Sequence, residues 1–229
     1  MSPPKNYRAG ARAALPLALA VTAFGVSYGI LARASGMGRV APVVMSLTTF
    51  AGSAQFAVAS ILAAGGGVSA AIAAAVLLNA RYAPIGLSVA PALTGSTLTR
   101  LLHAQLVVDE SWAVAHRGGG VFDRGRLIGA GITLYVGWLL GTILGVAGGE
   151  VLGDPERLGL DAAFPALFLS LLVPQVRSRR PLLAALLGAA IGLALVPVAR
   201  PGVPIVAACL ACAVGWRNPT RDAPTKKVP

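Results

Sequence analysis

Apolar residues fall in seven blocks, roughly 13–32, 41–64, 68–92, 127–149, 160–175, 181–199 and 201–216, and not at amphipathic spacing. Each of the first four is long enough to cross a hydrocarbon core of about 30 Å as a helix rising 1.5 Å per residue. The last three are shorter, which suits little tilt, a break or partial insertion. Nothing alternates as barrel strands do, and lipid leaves helices as the remaining element. The pattern predicts an all-α polytopic membrane bundle with about seven transmembrane segments. The first block follows Lys5, Arg8 and Arg12, as a cleavable signal would, but a run of about 20 residues fits an uncleaved span better.

The blocks also suggest an organisation. A basic arm (1–12) precedes a transmembrane domain (13–216), and a polar, proline-containing tail (217–229) reads as disordered. The units 13–92 and 127–199, joined by the polar segment 93–126, share an order of apolar blocks, with "TFAGSAQF" opposite "AFPALFLS". A three-span unit repeated once inverts, so the expectation is a 3+3 inverted repeat plus a final helix, with a site at the repeat interface. Gly137, Gly141, Gly145 and Gly149 recur at every fourth position. They predict a flat helix face packed closely on a neighbour.

Composition supports the membrane reading: 56% of residues are hydrophobic and 12% charged, against about 25% charged in a soluble domain. The net charge of +11 would suggest nucleic acid in a soluble protein, but here the basic residues lie between and beyond the apolar blocks. In a seven-crossing order, Arg33, Arg39, Arg100, Arg117, Arg124, Arg126, Arg177, Arg179, Arg180 and the tail share one side, and Lys5, Arg8, Arg12, Arg157 and Arg200 the other. The positive-inside rule then puts the tail in the cytoplasm and the N-terminus outside, against the pull of the basic arm. Cys209 and Cys212 in "CLAC" read as small residues one turn apart in a packed helix, so no metal is expected.

The candidate chemistry is polar groups inside apolar blocks. Gly52, Ser53 and Gln55 lie mid-block in the second span, and Asn79 and Arg81 mid-block in the third, joined by a short glycine hairpin. Such groups facing a bundle interior mark a pathway or binding site. Pro84 removes a donor and crowds the carbonyl of Ala80, so a kink is expected where Arg81 sits. A guanidinium, freed carbonyls and amides suit a small zwitterion: Arg81 for a carboxylate, carbonyls and Gln55 for an ammonium. Phe50, Phe56 and Phe164 would shape an apolar side-chain pocket. Arg81 has two other readings, snorkelling to the interface and pairing with Asp109 or Glu110. Asp109 itself reads either as the cap of a short helix or, with Glu110, as a carboxylate on the transport path; Tyr135 and Pro84 join them as candidate gating residues.

"TFAGSAQF", "LLNARYAPIGLS", "VVDESWAVA", "YVGWLLGTILG" and "LGLDAAFPALFLSLL", in this order, resemble the AzlC family of branched-chain amino acid permeases over residues 7–216. The resemblance implies a bacterial inner-membrane protein that works with a small multispan AzlD-type subunit to export valine, leucine, isoleucine or related amino acids, without a cofactor. No "GK[ST]" phosphate loop is present, so ATP hydrolysis by that motif is excluded. The leading reading is therefore a secondary transporter. Its competitors are a structural or assembly subunit and a membrane enzyme using Asp109, Glu110, His103 and His116, the latter weakened by sparse site chemistry.

Overall fold

The computed structural model describes residues 5–118, 120–148 and 179–211, with Leu169, Leu172, Val173 and Val176 between them. Phe164, Gly149 and the tail lie outside the described residues. Helices are the regular element throughout: α1 (Lys5–Ala34), α2 (Val40–Thr48), α3 (Gly52–Ala63), α4 (Val68–Asn79), α5 (Tyr82–Val89), α6 (Thr97–Ala104), α7 (Asp109–Ala115), α8 (Arg124–Gly148), α9 (Arg179–Leu195) and α10 (Val203–Ala208). Among the described residues, three stretches are long and apolar enough to cross a membrane: Asn6–Ala34, Val68–Ala92 and Arg124–Gly148.

The core is the α1–α8 pair. Gly141 and Gly145 lie directly on the backbone oxygens of Thr22 and Val26, and a methyl on Gly25 would come within 2.6 Å of the Trp138 oxygen. Small residues every fourth position let these backbones touch, as the glycine spacing predicts, and the partner is a helix of the same chain. The pairs ascend together, from Gly10 with Arg126 to Gly29 with Val146, so α1 and α8 run parallel.

This direction differs from the expected one. Two full crossings between the first and fourth blocks would have returned α8 antiparallel to α1. Instead the second block is broken: α2 ends at Thr48, α3 begins at Gly52, and Phe50 between them has φ +41°, the one positive value among described residues other than glycine. Its level is fixed by its neighbours. Ser46 bonds Thr142, Tyr135 reaches Leu47, and Gly52 rests on Trp138. Ser53 then sits level with Arg81, while Ile61 packs with Ala71 and Ala74 near the start of α4. The pair α2–α3 therefore enters from the far end of α1, turns midway and returns. Only α4–α5 completes the crossing, reaching the N-terminal end where Val89 clusters with Ala115 and Leu127.

A second hairpin enters from that N-terminal end. α6 runs inward beside α5, Leu106 touches Gly131, and α7 returns to Leu127 and Asp123. Its tip is held by Ser111, whose hydroxyl accepts the Val108 N–H at 2.9 Å and donates to the Leu106 carbonyl at 2.8 Å. Ser111 therefore does the capping, and Asp109 is the first helical residue with Val108 at the cap position. Because α1 and α8 are parallel, the units 13–92 and 127–199 do not begin with oppositely directed helices, as an inverted repeat requires. Arg8 and Arg12 also share an end with Arg117, Arg124 and Arg126, which removes the charge argument for an external N-terminus.

Candidate functional site

The two hairpin tips and the α4–α5 junction meet at a cavity of about 230 Å³ against the side of the α1–α8 pair. Its polar end comes from two chain breaks and the tip of the second hairpin. Ser53 stands in the first turn of α3. Arg81 stands in the turn between α4 and α5. Asp109 and Glu110 open α7. The local cause at Arg81 is Pro84, third residue of α5: without an N–H it suits a first helical turn, and the helix restarts around it. Ala80 and Arg81 keep helical φ and ψ while the regular bonding lapses there, so the expected kink is a local lapse within one crossing stretch.

One guanidinium nitrogen organises this end. Arg81 Nη2 lies 3.1 Å from Asp109 Oδ2 and donates to Ser53 Oγ at 3.1 Å and to the Tyr82 hydroxyl at 3.2 Å. Both charged side chains keep 32% of their surface exposed, so the pair faces the cavity and is not sealed in packing. Arg81 Nε and Asn79 Oδ1 are buried with no hydrogen-bond partner among the described residues. The opposite wall is apolar: Leu17, Val21 and Phe24 of α1, Leu134 and Trp138 of α8, and Phe50 at the break.

Behind that wall lies a second polar group, fully buried. Thr142 Oγ1 donates to the Trp138 carbonyl at 2.9 Å, so the 2.9 Å contact with Ser46 is donated by Ser46. Ser46 Oγ in turn accepts from Gln55 Nε2 at 2.8 Å and Trp138 Nε1 at 3.1 Å. Gln55 Oε1 accepts from Trp138 Nε1 at 3.0 Å and the Ala51 N–H at 3.3 Å. Gln55 thus ties the broken backbone to the indole that lines the cavity.

The expected site residues divide accordingly. Phe50, Gly52, Ser53, Arg81, Asp109 and Glu110 come together around the cavity. Gln55 sits in the network behind it. Phe56 is fully buried against Tyr28 and Trp138, ring centroids 5.8 and 6.3 Å away. Asn79 is half-buried just before the α4–α5 junction. Tyr135 supports the break: its hydroxyl donates to the Leu47 carbonyl at 2.8 Å and its ring meets Phe50 edge-on at 5.1 Å. Sequence reasoning missed Tyr82 and the α1 wall; nothing in a uniformly apolar helix marks which side faces a cavity. His116 stacks on Trp112, away from the carboxylates, and the described residues hold no group of three metal-ligating side chains.

Comparison with known proteins finds relatives named as membrane or transport proteins. The family described as "AzlC protein" matches residues 16–152, more than half of the chain. A Bacillus subtilis protein named "Branched-chain amino acid transport protein AzlC" is 27% identical over 192 residues, covering 80% of this chain and 74% of the relative. The Escherichia coli "Inner membrane protein YgaZ" is 28% identical over 83% of this chain and 82% of its own length. An Archaeoglobus fulgidus "Uncharacterized membrane protein" is 29% identical over 82% and 84%. No solved structure matches the chain.

Proposed function

The chain belongs to the AzlC family, and from that premise we propose that it is a secondary transporter exporting branched-chain or other hydrophobic amino acids across a bacterial inner membrane. The observation that carries this is the cavity itself: a cation and hydroxyls at one end, an apolar wall at the other, at the meeting point of interrupted helices. Transporters place substrates at such interruptions, where backbone leaves its helical pattern without facing lipid. Arg81 takes the substrate carboxylate, Ser53 adds a hydrogen bond, and the wall of Phe24, Phe50, Leu134 and Trp138 takes the side chain. The residues behind it, Gln55 and Tyr135, hold the break in place. Transport is assigned to alternating access, with an AzlD-type small subunit as partner.

The test is amino acid efflux from dipeptide-loaded cells expressing this chain with and without the partner. Release of valine, leucine or isoleucine that is unchanged by the pair defeats the transporter reading. Arg81→Ala at an unchanged membrane level abolishes the efflux; retained efflux removes Arg81 from the substrate site.

A further inference from the structure

We propose that the Arg81–Asp109 ion pair is a zwitterion receptor closed on itself. On loading, the substrate's carboxylate takes Arg81 and its ammonium takes Asp109, so that Asp109 selects α-amino acids against 2-oxo acids and amines of the same carbon skeleton. The inference rests on the transport reading above and assigns a role to Asp109 within it.

Charge accounting is the first support. Arg81 and Asp109 form a pair of zero net charge in a wall between membrane-crossing helices. An anion that took Arg81 alone would strand the aspartate, and a cation that took Asp109 alone would strand the guanidinium. Leaving one member of a partly shielded pair without its partner is unfavourable. A ligand bringing both charges replaces one ion pair by two and strands nothing.

The second support is that the pair is built to open. Its members belong to separate elements: Arg81 to the turn between α4 and α5, Asp109 to the tip of the second hairpin. Separating them breaks no helix. Both side chains are partly exposed to the cavity, so a ligand can reach each of them. The third is unused donor capacity. All of Arg81's contacts with Asp109, Ser53 and Tyr82 run through Nη2, while the buried Nε has no hydrogen-bond partner among the described residues. Once Asp109 moves off, Nη2 and Nε together present the two-pronged edge that grips a carboxylate.

The experiment measures binding to the purified full-length protein in lipid nanodiscs, using leucine, 4-methyl-2-oxopentanoate and 3-methylbutylamine. The wild-type protein is expected to hold leucine at least about tenfold more tightly than either analogue, since each strands one charge. Asp109→Asn is expected to weaken leucine about tenfold to a hundredfold, as for a hydrogen bond to a charged group, while 2-oxo acid binding holds or improves. The leucine-to-oxo-acid ratio therefore collapses, and Asp109→Glu keeps it. A pair with only a structural role weakens all three ligands together, and an unchanged ratio overturns the proposal. Should Asp109→Asn not fold, the wild-type order decides, because oxo acid binding as tight as leucine also overturns it. Failure of leucine to bind the wild-type protein is a different result: it removes the transport reading itself.

Discussion

Gln105, at the end of α6, donates a 2.9 Å hydrogen bond to the carbonyl of Thr48, at the end of α2. The bond joins the tips of two hairpins that enter from opposite ends of the α1–α8 pair. It also gives a partner to a carbonyl that the break at Phe50 has freed from helical bonding. The prediction is proximity: Thr48→Cys with Gln105→Cys, in a background without Cys209 and Cys212, is cross-linked by a short bifunctional thiol reagent in native membranes. Absence of the cross-link in well-expressed protein sinks the two-hairpin arrangement.

The glycines make a graded prediction. Alanine at Gly141 or Gly145 pushes a methyl into the backbone oxygens of Thr22 or Val26. Backbone cannot swing aside as a side chain does, so overpacking of about 1–3 kcal/mol or more is expected at each position. Gly192, in α9, has nothing among the described residues within 4 Å of the place a methyl would take. Gly192→Ala is therefore neutral or stabilising by up to about 1 kcal/mol, the helix-propensity difference. Thermal unfolding in one detergent ranks the three. Equal effects at all positions would contradict α1–α8 as the tight seam.

What was legible in the sequence were properties that leave a compositional mark. A charge inside an apolar run located Arg81, and the four-residue glycine spacing located the seam on α8. The break at Phe50 left no such mark. "TTFAGS" contains no proline, and a block spanning 41–64 fits one crossing as well as a hairpin that turns back. The parallel direction of α1 and α8 arises from contacts more than a hundred residues apart, which no local pattern carries. Gln55 and Phe56 share a motif with Gly52 and Ser53 but not their role. Gln55 lies about 200° around the helix from Ser53 at 100° per residue. Phe56 is a turn farther from the break, where Tyr28 and Trp138 fill the space.

Parallel packing changes the expected orientation. Arg8, Arg12, Arg117, Arg124 and Arg126 gather at the N-terminal end of the pair, against Arg33 and Arg39 at the other. The positive-inside rule then places the N-terminus and the 117–123 loop in the cytoplasm. Cysteines at Arg8 and Arg117 are expected to resist a membrane-impermeant maleimide in intact spheroplasts and to react after lysis, while one at Arg39 reacts in both. Labelling of Arg8→Cys from outside reverses the assignment.

Gln55 tests whether the buried network positions the cavity wall. Gln55→Leu leaves the Ala51 N–H without its side-chain acceptor and takes one acceptor from Trp138 Nε1. A lost buried partner costs about 1–3 kcal/mol. Ser46 still accepts from the indole, so the ring is loosened, not released. The expected outcome is lower thermal stability with weakened binding of leucine and its analogues by the same factor. A change in the preference among them would place Gln55 on the ligand instead.

Asp123 supplies the pH dependence. It sits just before α8, where its Oδ1 accepts the Arg126 N–H at 3.0 Å. Its Oδ2 accepts from Asn6 at 2.7 Å and Arg117 at 3.1 Å, tying the start of α1 to the start of α8. Burial by itself raises the carboxyl pKa, but the Arg126 N–H, the Arg117 guanidinium and the Gly125 N–H together hold it below the ordinary 3.8. A depressed folded-state pKa stabilises the protein above the unfolded value, and that contribution fades as pH falls through the folded one. Asp123→Ala is therefore expected to lose about 0.5–2 kcal/mol at neutral pH, as for a removed helix cap. The gap from wild type narrows below pH 3.8 as the wild-type carboxyl takes up its proton. Unfolding midpoints measured from pH 7 down to pH 3 check this; a gap that stays constant or widens on acidification assigns the stability to some other group.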